Sequence, residues 1–244
     1  MKARSFSLNI NYKIKPFNKT IKKIDSDKSL SIRSFLIGSI SQNISTVKNV
    51  LESEDVFSTI NCLKKLGVKI KRNKKGSYSI YGKGIGSLFA KKNLSLNFGN
   101  SGTLARLLIG ILSTTPNIEI KVTGDHSLNK RNMETLIMLM TKFGTEFLPK
   151  NKSNFPLKIL SSEMPIGINY KSGVSAQLKS AVMLAGLNSY GTTEVIEEKK
   201  SRDHTENILR NNPKAIKIIN KKKNIIKIFG KQSLKHFNII VSGD

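Results

Sequence analysis

Three stretches of the chain share one pattern of apolar and polar positions. Residues 29–40 ("SLSIRSFLIGSI"), 102–113 ("GTLARLLIGILS") and 175–186 ("SAQLKSAVMLAG") align at an offset of 73 residues each time. In that register Ile32, Ala105 and Leu178 coincide, as do Phe35, Leu108 and Ala181, then Leu36, Ile109 and Val182. These are i, i+3, i+4 positions, which predict one buried face on an amphipathic helix. A basic residue falls at the same place in each copy: Arg33, Arg106 and Lys179.

The segments after each helix repeat as well. A β-rich run comes next ("STVKNV", "IEIKVTG", "TTEVIE"), then a second helical pattern ("EDVFSTINCLKKLG", "RNMETLIMLMTKFG", "DHTENILRNNP"). Lys in the last turn followed by Gly67 or Gly144 is a helix stop: glycine takes the left-handed conformation, and the cation suits the negative end of the dipole. Each unit closes on two further β-rich runs, "VKIKRN…YSIYG", "TEFLPK…PLKIL" and "AIKIIN…IIKIFG". The prediction is an α/β lobe over residues 25–230, built from three strand–helix–strand–helix–hairpin units with pseudo-threefold symmetry. The segments "TIKKIDSDKS" (20–29) and "HFNIIVSGD" (236–244) both read as a strand running into a polar turn. Residues 1–24 and 231–244 are therefore expected to be strands of a second lobe that is mostly absent.

Composition narrows the function classes. With 244 residues, 38% of them apolar and 24% charged, the chain can bury one large core or two modest ones. The net charge of +26 points to anionic partners. The lysines are spread over nearly every segment, aromatics make up 7% and Trp is absent, so a stacking platform for nucleic acid is disfavoured. The densest basic runs, "NKKKN" (220–224) and "RNKKG" (72–76), read as solvated hairpin tips. No apolar run is long enough to span a bilayer, and the start lacks the continuous apolar region of a secretory signal. A single cysteine, Cys62, rules out an internal disulfide, so a cytoplasmic location is expected.

The repeat also bears on chemistry. Each unit opens a helix at a small or hydroxyl residue with a cation about one turn in, and three such N-termini pointing one way make an anion-binding face. No His, Cys, Asp or Glu cluster has metal spacing, and no cofactor or metal is expected. Cys62 lies in an amphipathic pattern and reads as core; "GKGIG" (82–86) leads to no helix and reads as a turn. "GNSGTLARLLIG" (99–110) lacks both the Lys-Ser/Thr ending of a P-loop and the spacing of a dinucleotide site. By itself it reads either as an N-capped helix start or as a turn that brings backbone close to an anion.

The stretches "SDKSLSIRSFLIGSI", "NFGNSGTLARLL", "TGDHSLNKRNM", "SAQLKSAVMLAGL" and "SRDHTENIL", in this order, resemble the 5-enolpyruvylshikimate-3-phosphate synthase family from about residue 20 onward. The resemblance implies one of two similar lobes, and transfer of the carboxyvinyl group of phosphoenolpyruvate to the 5-hydroxyl of shikimate 3-phosphate. It implies that Lys28 contacts both substrates and takes part in proton transfer. Ser29 and Arg33 would hold the shikimate moiety; Ser175, Gln177, Ser201 and Arg202 would bind shikimate 3-phosphate. Asn100, Gly102, Arg131 and Gln177 would line the phosphoenolpyruvate pocket, with Gly102 there because a side chain would intrude. Arg106 and Lys179 read as cations snorkelling from a buried helix and stay outside the site; His204 and Glu206 read equally as structural residues that cap or brace their helix and as functional ones.

The sequence departs from the family pattern at Ser26 (usually Gly), Asn132 (usually Pro) and "NNP" (211–213, usually a glycine-containing helix end). The absent second lobe would carry the acidic acid–base partners, so this chain alone is expected to be inactive, with a separate second-lobe chain as a conceivable partner. Two other readings stay open: UDP-N-acetylglucosamine enolpyruvyl transferase, which expects a reactive loop cysteine, and a non-catalytic anion- or RNA-binding remnant.

Overall fold

The computed structural model describes residues 24–220 and 223–243. In chain order the elements are α1 (Lys28–Ile40), β1 (Ile44–Lys48), α2 (Glu54–Lys65), β2 (Lys69–Lys74), β3 (Ser77–Tyr81) and β4 (Ser95–Asn97). Then come α3 (Gly102–Thr114), β5 (Glu119–Thr123), α4 (His126–Asn129), α5 (Glu134–Thr141), β6 (Glu146–Leu148), β7 (Leu157–Leu160) and β8 (Asn169–Ser172). The last are α6 (Ala176–Gly186), β9 (Thr192–Glu197), α7 (His204–Leu209), β10 (Ile216–Asn220), β11 (Asn224–Phe229) and β12 (Asn238–Ile240). The mixed α/β class expected from periodicity is what the chain adopts.

The strands form three four-stranded sheets, ordered β12-β1-β3-β2, β4-β5-β7-β6 and β8-β9-β11-β10. Each joins its first two strands in parallel and the remaining pairs antiparallel. Within residues 231–244, expected to be a strand of another lobe, Asn238–Ile240 pairs with β1. Thr46, Val47 and Lys48 of β1 stand opposite Asn238, Ile239 and Ile240, so β12 fills the parallel edge position that β4 and β8 fill in the other sheets. The edge of β1 needs partners for its backbone groups, and β12 supplies them. Of the strand expected over residues 20–29, residues 20–23 lie outside the described residues; residues 24–27 hold only a bridge between Ser26 and Gly243, and α1 begins at Lys28.

Burial along the central helices also differs from expectation. Residues 31–40 of α1 are buried on every side, and so is all of α3 except Arg106. A helix surrounded by neighbours has no solvent face for its polar side chains. The α1 serines solve this locally: Ser31 Oγ donates to Asp27 O (2.8 Å), Ser34 Oγ to Leu30 O (2.9 Å) and Ser39 Oγ to Leu36 O (2.6 Å). Helix α3 lies against α6 so closely that a Cβ on Gly110 would sit 2.5 Å from Ala181 O, which leaves glycine as the residue that fits. The outer helix α2 keeps the amphipathic form, with Val56, Ile60 and Leu63 inward and Glu54, Lys64 and Lys65 outward. Gly67 (φ +85°) and Gly144 (φ +92°) come after α2 and α5 in the left-handed region, as the helix-stop pattern predicts.

Candidate anion-binding site at three helix N-termini

Asp27, Ser101 and Ser175 cap α1, α3 and α6, each accepting from the amide three residues on: Leu30 (2.6 Å), Leu104 (3.2 Å) and Leu178 (3.4 Å). The caps are 74 residues apart in both steps, one more than the hydrophobic register suggests. Arg33, Arg106 and Lys179 are therefore the sixth, fifth and fourth residues after their caps and point in three different directions. Each meets a different environment.

Arg106 leans toward Arg131 from the loop after α4. An ideal Cβ on Gly102 would lie 2.8 Å from Arg131 Nη1 and 2.9 Å from Arg106 Nη1, so both guanidinium groups reach the same point above the start of α3. Arg131 Nη2 donates to Asn100 Oδ1 (2.7 Å), and Arg106 Nη1 to Gly102 O (3.2 Å). Among the described residues no carboxylate pairs with either. Burial, then the proximity of Arg131, pulls the Arg106 pKa below its ordinary value. Gln177 Nε2 donates to Thr103 Oγ1 (2.9 Å), which joins the first turns of α3 and α6. A cleft of about 150 Å³ runs between Arg106, Asn132, Ser175 and Gln177. Asn100, Gly102, Arg131, Ser175 and Gln177 thus come together, and Arg106, expected only to snorkel, joins them. Two unpaired guanidinium groups at a helix N-terminus are suited to a phosphate or carboxylate.

The other expected residues stand around α1. Lys28 is about half exposed, with its Nζ 3.0 Å from Asp55 Oδ2. Arg33 is buried: its Nε donates to Thr205 Oγ1 (3.0 Å), Nη1 to Ser29 O (3.2 Å) and Nη2 to Ser180 Oγ (3.3 Å). Burial lowers its pKa to about 10 against the opposing pull of Glu206 and Asp27, so it remains a cation at neutral pH. Arg202 is exposed; Ser201 is not free, because its N–H (3.1 Å) and Oγ–H (2.8 Å) both go to Glu197 Oε1. Burial keeps the His204 pKa below its usual range, with Asp27 opposing and Arg33 and Arg202 assisting.

Sequence reasoning missed Asp55 and Glu197 as partners of site residues, since each acts on a side chain distant in the chain. A cavity of about 650 Å³ lies at the C-terminal ends of α1 and α6 beside Gln42, Lys83, Asn188 and Lys231 and contains none of the expected residues. Cys62 is buried with its thiol pushed up to about 12 by burial, so the reactive loop cysteine that the sister enzyme would need has no counterpart among the described residues. Among the described residues no group of His, Cys, Asp and Glu could hold a metal ion, and no helix is long and apolar enough to cross a membrane.

The family model for EPSP synthase (3-phosphoshikimate 1-carboxyvinyltransferase) matches residues 11–244. The chain belongs to the EPSP synthase family. A 3-phosphoshikimate 1-carboxyvinyltransferase of Paramagnetospirillum magneticum is 41% identical over 189 residues, covering 77% of this chain and 42% of that protein. One from Parvibaculum lavamentivorans is 37% identical over 224 residues, covering 91% and 49%. The solved EPSP synthase of Acinetobacter baumannii superposes with a TM-score of 0.82 at 36% identity, over 91% of this chain and 49% of that one. The chain spans about half the length of the curated relatives it matches.

Proposed function

We propose that this chain supplies the shikimate 3-phosphate side and part of the phosphoenolpyruvate side of a 3-phosphoshikimate 1-carboxyvinyltransferase, in the shikimate route to chorismate and aromatic amino acids. In that reaction the 5-hydroxyl gives up its proton as its oxygen bonds to the enol carbon, while the methylene gains a proton. Phosphate then leaves as a methyl proton is lost, which restores the double bond. Both substrates are anions, and the observation that carries the reading is the Arg106–Arg131 pair at Gly102, two cations at the start of α3 with no carboxylate partner among the described residues.

The placements suggest the roles. Arg131, Asn100, Gly102 and Gln177 would take phosphoenolpyruvate, with the planar Arg131 fork suited to its phosphate or carboxylate. Ser29, Arg33, Ser175, Gln177 and the 201–202 segment would take shikimate 3-phosphate. Lys28 would face both and move the proton. The three sheets support a reading as three copies of one unit, with β12 standing where a leading strand of the first unit would be. Catalysis needs groups preorganised on both sides of the substrates. The spanned half of the family length therefore supports a two-lobe enzyme whose remaining acid–base groups lie beyond this chain, which by itself would bind without turnover, in the cytoplasm.

Calorimetric titration of the 244-residue chain with shikimate 3-phosphate, phosphoenolpyruvate and inorganic phosphate tests the proposal. Preference for shikimate 3-phosphate over inorganic phosphate, weakened by salt, is expected. An equal response to both would reduce the site to a generic anion patch.

A further inference from the structure

Helix α7 is six residues long, yet its first three side chains all meet polar groups of α1 or α6, and Thr205 and Glu206 are buried. His204 Nδ1 stands 3.9 Å from Asp27 Oδ2, Thr205 Oγ1 accepts from Arg33 and donates to Ser180 Oγ (2.8 Å), and Glu206 Oε1 lies 2.5 Å from Lys179 Nζ. The fully buried Lys179 ammonium also donates to Glu197 Oε1, 2.8 Å away at the end of β9. Glu197 is tied further: Oε1 accepts both groups of Ser201, and Oε2 accepts Asn224 Nδ2 from β11 (2.5 Å). Arg33 and Lys179 thus stand among three buried carboxylates, Asp27, Glu197 and Glu206.

Such a set is costly to desolvate, and apolar residues of similar volume would hold α6 against α7 about as well. The fold alone gives little reason for it. Its layout gives one: Glu197 and Glu206 flank the 198–205 segment, and Lys179 holds both carboxylates at once. Ser201 is bound into the same set. Its hydroxyl proton is already donated to Glu197, so it cannot also be donated to an anionic ligand, which has no proton to return. Arg202, next in the chain, is exposed.

We propose that Lys179 is a positioning residue: by binding Glu197 and Glu206 together it fixes the loop after β9, so that Ser201 anchors the loop from within and Arg202 is presented to the phosphate of shikimate 3-phosphate. This rests on the functional reading above for the identity of the ligand, but not for the loop's attachment.

Amide hydrogen exchange and ligand titration on the 244-residue chain separate the two. Lys179→Met is expected to speed exchange at residues 199–203 by roughly tenfold or more, with α3 amides unchanged. Affinity for shikimate 3-phosphate should fall by roughly tenfold or more, the scale of a lost charged hydrogen-bond network, while affinity for phosphoenolpyruvate changes less than about twofold. Glu206→Gln removes one of the two carboxylates that Lys179 holds and should speed exchange at 199–203, by less than Lys179→Met does. If Lys179→Met does not fold, Glu197→Gln releases Ser201 directly and carries the same two readouts. Unchanged exchange at 199–203 in a folded variant overturns the positioning role. Faster exchange with unchanged shikimate 3-phosphate affinity overturns the link from loop to ligand. Parent-like binding by Arg202→Ala overturns the assignment of the phosphate to Arg202, and with it that part of the functional reading.

Discussion

Lys28 Nζ lies 3.0 Å from Asp55 Oδ2, so the first residue of α1 is tied to the second residue of α2. The ammonium is about half exposed, and an arriving anion competes with Asp55 for it. Asp55→Asn removes that competitor. Affinity for phosphoenolpyruvate should rise, by less than about tenfold for an exposed pair, and become more sensitive to salt. Titration at two salt concentrations checks this; weaker binding would mean that Asp55 holds Lys28 in its working position. In an enzyme of full family length, Lys28→Arg should keep part of the ligand affinity while turnover falls at least about 100-fold, the scale of one lost acid–base group. Near-parent turnover would leave Lys28 a charge clamp only.

Gly102→Ala tests the pocket at the start of α3. The added methyl would press on the ends of two flexible guanidinium groups, not on backbone, so the fold should survive. The pair that faces the anion is the part that moves. In a full-length enzyme the KM for phosphoenolpyruvate should rise with a smaller change for shikimate 3-phosphate, and an inhibitor that fills the phosphoenolpyruvate pocket should lose affinity in parallel. Equal loss for both substrates would point to a disturbed helix start instead.

The helices and hairpins were legible because their signals are local: apolar spacing, a hydroxyl or Asp cap, a glycine stop. The hydrophobic register was nevertheless one residue short of the cap spacing, which made Arg33, Arg106 and Lys179 look equivalent. One residue on a helix turns a side chain by about 100°, and that rotation sends Arg33 to Thr205, Arg106 to Arg131 and Lys179 to two glutamates. The place of β12 was illegible for another reason. Its partner β1 precedes it by nearly the whole chain, and a short strand carries no mark of which edge it will join. Ser201 matched a family motif, but motif spacing does not tell whether a hydroxyl faces a ligand or a buried carboxylate.

Acid should expose the contribution of Glu52. Burial works against its charge, but the Gly76 N–H, Arg72 and the Tyr78 hydroxyl all donate to it and together hold its pKa at about 2. A carboxylate whose folded pKa lies below its unfolded value of about 4.3 adds stability that is full above the unfolded pKa and disappears as pH falls through the folded one. Glu52→Gln should therefore lower the urea midpoint clearly at pH 7, with the gap to the parent shrinking between about pH 4 and pH 2. A gap independent of pH would show that the side chain acts by packing.

Cys62 provides a check on the enzyme class. Its thiol is buried, pushed up to about 12, and its Sγ lies 3.4 Å from Asn97 O. Iodoacetamide at neutral pH should label the folded chain at least about 100-fold more slowly than the urea-unfolded chain, because the thiolate is the reacting species. Rapid labelling of the folded chain would reopen the reading as the cysteine-dependent sister enzyme.

Arg106 and Arg131 should trade stability against binding. Their guanidinium groups crowd the same point, with no carboxylate beside them among the described residues and the Arg106 charge disfavoured by burial and by its neighbour. Like charges held together without a ligand cost the folded chain something, and a bound dianion turns that cost into attraction. Arg106→Gln removes one of the two charges and keeps a side chain able to donate to Gly102 O. The ligand-free variant should melt at or slightly above the parent temperature in low salt, and the difference should fade as salt screens the repulsion. Adding phosphoenolpyruvate should raise the melting temperature of the parent by more than that of the variant, because stabilisation by a ligand depends on its affinity for the folded state. If the variant melts lower without ligand yet responds to phosphoenolpyruvate like the parent, Arg106 is a structural cation and the anion belongs to Arg131 alone.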